Sequence, residues 1–233
     1  LAVGCPPHED HELPALLITF LLRTRGWHVV YLGANVPLQN FEATIASVKS
    51  DLIILVSQTL QTAATLKEVA LALNAQNVKV AFGGRVYNRL PALVKQIPGV
   101  YLGEDLRYVT PVVEKIFNTS QPRKLELSDL SIDYKTRSYF TQRRSRLEEK
   151  LLSEMGDRMP YEYLEMANQH MAENISAAIT LGNIDFLDPE LDWVQGFLKN
   201  ARLSENLLVE YLRKYRQAAG QVFDARGQEI LTW

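Results

Sequence analysis

The chain reads as a parallel α/β sheet followed by an all-α helical region. Two observations predict this. Short β-rich runs alternate with amphipathic helical stretches through the first half, and no convincing strand follows the polar connector that begins near Thr119. With 233 residues and 47% apolar side chains, the chain can fill one large core or two modest ones.

The strands are expected at residues 1–5, 28–32, 52–56, 78–82 and 100–102. Between them, segments 13–25, 63–74 and 106–117 carry apolar residues at helical spacing, and Gly26 and Gly99 punctuate the returns to strand. Five strands and five helices result. Right-handed crossovers favour the flavodoxin-like order 2-1-3-4-5, in which ligands collect at the carboxyl ends of strands where the winding reverses. The α/β domain is assigned to 1–118 and the linker to 119–135, leaving 136–233 as a helical domain. Its helices are expected near 136–155, 161–181, 189–200 and 205–223, with Asp188-Pro189 and Ser204 as N-terminal caps and Gly182 as a stop. The mixed-charge run 141–150 reads as a solvated helix face with i,i+4 pairs.

Three loops converge on one sheet edge in this order. After the first strand comes Gly4-Cys-Pro-Pro-His-Glu-Asp-His-Glu-Leu-Pro14, dense in acids and imidazoles; after the third comes Ser57-Gln58-Thr59; after the fourth comes Gly83-Gly84. One ligand can touch all of them. A loop histidine with a carboxylate beside it suits a borderline metal such as cobalt, since the carboxylate takes one ring proton and leaves the other nitrogen to donate. His11 with Glu9 or Asp10 meets that description. A glycine pair lets a bulky group approach the backbone, and a strand-end hydroxyl can bond a buried polar tail.

Residues 1–118 resemble the cobalamin-binding domain whose fingerprint is D-x-H-x-x-G, then S-x-L, then G-G. Here it reads Glu9-Asp10-His11-Glu12-Leu13-Pro14, Ser57-Gln58-Thr59 and Gly83-Gly84, so glutamate, proline and threonine replace the aspartate, the glycine and the leucine. Pro14 starts a helix after Leu13, where its missing N–H costs nothing. The E-x-H-E form and the segment 22–37 are similar to the light-sensing, cobalamin-dependent repressors of the CarH type. That resemblance implies His11 on the lower face of the cobalt, Glu9 supporting it, and adenosylcobalamin as the light-sensitive form. It further implies a nucleotide tail entering beside Ser57, Thr59, Gly83 and Gly84, with Tyr101 to Gly103 as the far wall.

The domain order looks like that of the photocobilins, receptors that hold cobalamin next to a bilin such as biliverdin. On helix 161–181, Tyr163, Met166, His170, Ala177 and Leu181 form one face, beside a second apolar face of Leu164, Ala167, Met171, Ile175 and Ala178. Tyr163 and His170 are the expected bilin contacts, while Trp193 and Tyr211 read as packing anchors. Cys5 can attach a bilin in principle, but a small residue ending a buried strand is the commoner case.

The expected function is thus a light-sensing regulatory module, not an independent enzyme. Partners implied are cobalamin, a bilin, further copies of the chain in a light-dependent assembly, and an output domain or partner protein. The rival reading is a corrinoid methyl carrier using the same His11. A phosphate receiver wants an aspartate where Ser57 stands, a dinucleotide fold wants G-x-G-x-x-G, and no Ser/His/Asp, C-x-x-C or H-E-x-x-H constellation supports independent catalysis. A formal charge of -2 supplies no field for nucleic acid, and no apolar run approaches the roughly eighteen residues of a membrane span. With no signal peptide, the expected location is the cytoplasm. The chain opens at Leu1 directly in a strand, so further residues are expected upstream.

Overall fold

The computed structural model describes residues 1–119, 131–155, 158–189 and 206–227, with single positions 191, 194, 199, 204 and 230 besides. It divides into two compact units, Leu1–Ser131 and Ile132–Trp233.

In the first unit β1 (Ala2–Gly4), β2 (Val30–Gly33), β3 (Leu52–Val56), β4 (Lys79–Gly83) and β5 (Val100–Tyr101) form one sheet in the order β2-β1-β3-β4-β5. Every pairing is parallel. This is the doubly wound arrangement predicted. The central strand β3 is buried at all five positions, as expected of a continuous apolar run covered on both faces. Helices α1 (Leu13–Thr24), α2 (Leu38–Val48) and α3 (Leu60–Ala75) provide crossovers, a short α4 (Arg85–Arg89) with a 3₁₀ turn at Pro91–Gln96 connects β4 to β5, and α5 (Val109–Asn118) follows the last strand. One core gathers Val3, Ile54, Val56 and Ala81 from the sheet with Ala15, Ile18 and Leu22 of α1 and Val109 and Val113 of α5.

Pro14 occupies the first turn of α1, where a proline removes no helical hydrogen bond. The same helix leaves Leu13, Leu16, Leu17 and Phe20 exposed. The region predicted as one helix over 106–117 divides into a 3₁₀ turn at Leu106–Tyr108 and α5 proper, because Asp105 accepts a hydrogen bond from the Arg107 N–H and starts a separate turn.

The second unit is helical: α6 (Tyr134–Met155), α7 (Tyr161–Leu181) and α8 (Asn206–Val222), with a 3₁₀ turn at Ile184–Leu187 between the last two. Phe140, Leu147, Leu151 and Met155 recur at helical spacing on α6 and are fully buried. Gly182 ends α7 at φ 86°, a left-handed conformation a side chain would strain. Ser204 caps α8 by accepting from the Asn206 N–H. Within the mixed-charge run, Arg144 and Glu148 form the expected i,i+4 pair at 2.6 Å. Tyr211 is an anchor as predicted: it is buried, and its hydroxyl donates to Asn168 Oδ1 at 2.9 Å. The linker over 120–130, Trp193 and most of the helix expected at 189–200 lie outside the described residues. Among the described residues, no helix is long and apolar enough to cross a membrane.

Candidate functional site

The loop after β1 is shaped by one inward carboxylate. His8 adopts a left-handed backbone (φ 68°), its N–H held by Asn35 Oδ1 at 2.8 Å, and the next residue, Glu9, is fully buried. Asn35 in turn donates its backbone N–H to the Glu9 carbonyl. A buried carboxylate is costly unless every lone pair is used. Here all are engaged. Glu9 Oε1 accepts from the His11 backbone N–H at 2.9 Å and from His11 Nδ1 at 2.7 Å. Glu9 Oε2 accepts from the Gln58 backbone N–H and the Thr62 hydroxyl, each at 2.6 Å.

This network dictates the tautomer of His11. A carboxylate accepts and does not donate, so a proton lies on Nδ1, and in the neutral ring the lone pair is on Nε2. The ring is largely exposed, at 69%, while its supporting carboxylate is at 0%. Proton order extends further. Thr62 spends its hydroxyl proton on Glu9, so in the Thr59–Thr62 contact at 3.0 Å the Thr59 hydroxyl is the donor. Thr59 and Thr62 together form the capping box that starts α3. Sequence reasoning left Glu9 and Asp10 as alternative supports for His11; the structure selects Glu9, and Asp10 is exposed. Glu12 is exposed as well and accepts from the Tyr31 hydroxyl at 2.8 Å. Burial first, and that bond second, push the Tyr31 phenol up to about 12.

The glycine pair after β4 divides its labour. A Cβ on Gly84 would lie 1.8 Å from the Ser57 carbonyl oxygen, and its φ is +133°, so the backbone itself demands glycine there. A Cβ on Gly83 would meet nothing closer than Leu102 Cβ at 3.8 Å. A side chain there would sit in ordinary van der Waals contact, so the backbone does not require glycine at Gly83. Ser57 is fully buried and donates to the Tyr87 hydroxyl at 3.0 Å, so its hydroxyl is spent inside the protein. Tyr101 donates to Asn88 Oδ1 at 2.7 Å, and Asn88 donates on to the Glu104 carbonyl. Gly103, at φ +94°, packs against Tyr108.

Thr62 and Tyr87 belong to this site although sequence reasoning assigned them no role, and Gln58, read only as part of the strand-end loop, supplies a specific donor. A threonine pair three residues apart at a helix start was a usable signal for Thr62. None exists for Tyr87, whose partner lies 30 residues away. Gln58 uses its Oε1 to accept the Arg85 N–H at 3.2 Å, while its buried Nε2 has no hydrogen-bond partner among the described residues. Such an orphan donor at a strand end fits an acceptor supplied by a ligand.

Cys5 is unsuited to covalent attachment. It is fully buried, and burial foremost, with Glu9, Glu12 and Asp10 adding their charge, raises the thiol to about 12. In the helical unit, Tyr163 is exposed and His170 half-buried on α7. Neither lines the apolar cavity there, whose α7 wall is Met171 and Ile175 from the second apolar face.

Among the described residues, no three histidine, cysteine or carboxylate side chains gather as a metal cage. His11 is a solitary donor, suited to a metal whose remaining ligands arrive with it. His11 stands on the loop after β1, a strand at the winding reversal, where doubly wound sheets collect ligands. Residues 1–106 match the B12 binding domain family. Comparison with curated proteins finds no match. The residues fit a corrinoid in two respects: the exposed imidazole of His11 suits its metal, and the buried Gln58 Nε2 suits a polar group on it.

Proposed function

We propose that the chain is a light-sensing regulatory module that binds adenosylcobalamin through His11 and works without catalysis of its own. The observation that carries cobalamin binding is the Glu9–His11 pair, a buried carboxylate that leaves one exposed imidazole nitrogen bare. When bound, adenosylcobalamin supplies a weak bond from cobalt to carbon that green light breaks. His11 would hold the cofactor, and the chain's own residues orient that ring: Glu9 binds it, and Gln58 and Thr62 hold Glu9. A second protein surface would meet the bound cofactor, and packing there would bias the association of chains, which an output domain or partner protein would read. The E-x-H-E form and the helical unit after it support this reading over a methyl carrier, which needs no such unit. A biliverdin-type bilin in the helical unit is the second chromophore of the reading.

The test is an absorption spectrum of the purified chain with adenosylcobalamin and biliverdin, in the dark and after green light, with molecular mass tracked in parallel. An irreversible spectral change with altered mass is expected, and His11→Ala removes the imidazole-ligated signature. Retained, photostable cobalamin without a bilin band moves the assignment to the methyl carrier. No retained corrin refutes the site.

A further inference from the structure

The helical unit contains a cavity of about 380 Å³ bounded by α7, the Ile184–Leu187 turn and α8, within the range of roughly 300–1,000 Å³ usual for small-molecule sites. Met171, Ile175, Ala219 and Phe223 line it and are buried, so its floor is apolar. Arg213 and Arg216 also line it and are exposed, which places them at the mouth. They stand one turn apart on α8, and no acidic side chain is among the described lining residues. Neither arginine has an ion pair among the described residues, although Arg143, Arg144, Arg158 and Lys214 of the same unit all do.

Two like charges on adjacent turns repel, and an apolar hollow forfeits dispersion contacts. An occupant with an apolar body and an anionic end relieves both. We propose that this cavity binds an apolar carboxylate, its body against Met171, Ile175 and Phe223 and its acid groups on Arg213 and Arg216. Guanidinium forks match carboxylates bidentately, and the desolvated floor selects hydrocarbon or ring surface. A linear tetrapyrrole with propionates and a long-chain fatty acid share this chemistry. With a tetrapyrrole the inference rests on the two-chromophore reading; with a fatty acid it stands without it.

The full chain would be titrated with biliverdin and with oleate, by calorimetry and absorption, beside an R213Q/R216Q variant. Both arginines are exposed, so the variant is expected to melt as the parent does. At least one probe is expected to bind at a single site and to bind roughly tenfold or more weakly to the variant. Methyl oleate, which lacks the charge, is expected to bind more weakly than oleate. Single-site binding of neither probe, or equal binding by parent and variant, overturns the proposal. Biliverdin binding that survives R213Q/R216Q but is lost in Tyr163→Ala also overturns it, while leaving the photoreceptor reading intact. Arginine-dependent oleate binding with no biliverdin binding supports the cavity and removes the bilin.

Discussion

Replacing Glu9 by glutamine removes one charge at nearly constant shape, and the four donors around it set the consequence. Glutamine keeps one acceptor oxygen and presents an NH₂ where the other stood. With the oxygen in the Oε1 position, the NH₂ confronts the Gln58 backbone N–H, and that donor loses its acceptor. With the amide reversed, the NH₂ confronts the His11 backbone N–H and ring, and the imidazole can accept only by moving its proton to Nε2. Either orientation orphans a backbone donor, at about 1–3 kcal/mol, and removes the charge assistance from the remaining bonds, together roughly 2–4 kcal/mol. The second orientation also places a proton on Nε2, the nitrogen proposed to meet cobalt, and loss of such a supporting partner typically costs about 10–100-fold in metal affinity. Urea unfolding of the unliganded chain measures the first effect, and titration with hydroxocobalamin monitored by absorption measures the second. A variant with the parent's urea midpoint and cobalamin affinity within twofold would refute the argument that Glu9 is a charged, fully bonded support.

The same geometry sets three further outcomes. Gly84→Ala sets a Cβ 1.8 Å from the Ser57 oxygen at φ +133° and should cost more than about 3 kcal/mol, whereas Gly83→Ala should stay within about 1 kcal/mol of the parent; equal melting temperatures for the two would contradict the division of roles. Tyr87→Phe leaves the buried Ser57 hydroxyl without its acceptor and should cost about 1–2 kcal/mol by urea unfolding. Cys5, raised to about 12 from an ordinary value near 9, should resist iodoacetamide in the folded chain and react once it is unfolded. From about pH 9 to about 12 the unfolded thiol loses its proton while the folded one keeps it. Folding stability should therefore fall with rising pH across that window, by on the order of 1 kcal/mol per pH unit from this group. Rapid native-state alkylation at pH 8 would count against the burial.

How legible the fold was depended on how local its causes were. β3 was read to the residue because five consecutive apolar positions buried on both faces leave no competing period. The short α4 and the 3₁₀ turn at Pro91–Gln96 passed unread, since five or six residues show no helical periodicity. In the site, His11, the glycine pair and the strand-end loops were visible as residue types at fixed places in a βα order. Whether Glu9 or Asp10 faces inward was not, because the loop passes through left-handed His8 and the inside–outside pattern cannot be traced across such a residue.

The sequence by itself determined the parallel sheet, its strand order and the edge where a ligand collects, because hydrophobic period and crossover handedness act along the chain. Packing alone settled which carboxylate holds His11, that Gly84 and not Gly83 answers to the backbone, how Gln58 is bonded, and that Tyr87 stands behind Ser57. Each of those rests on atoms brought within a few ångströms from elements 27 to 53 residues apart, and no local pattern encodes such a meeting.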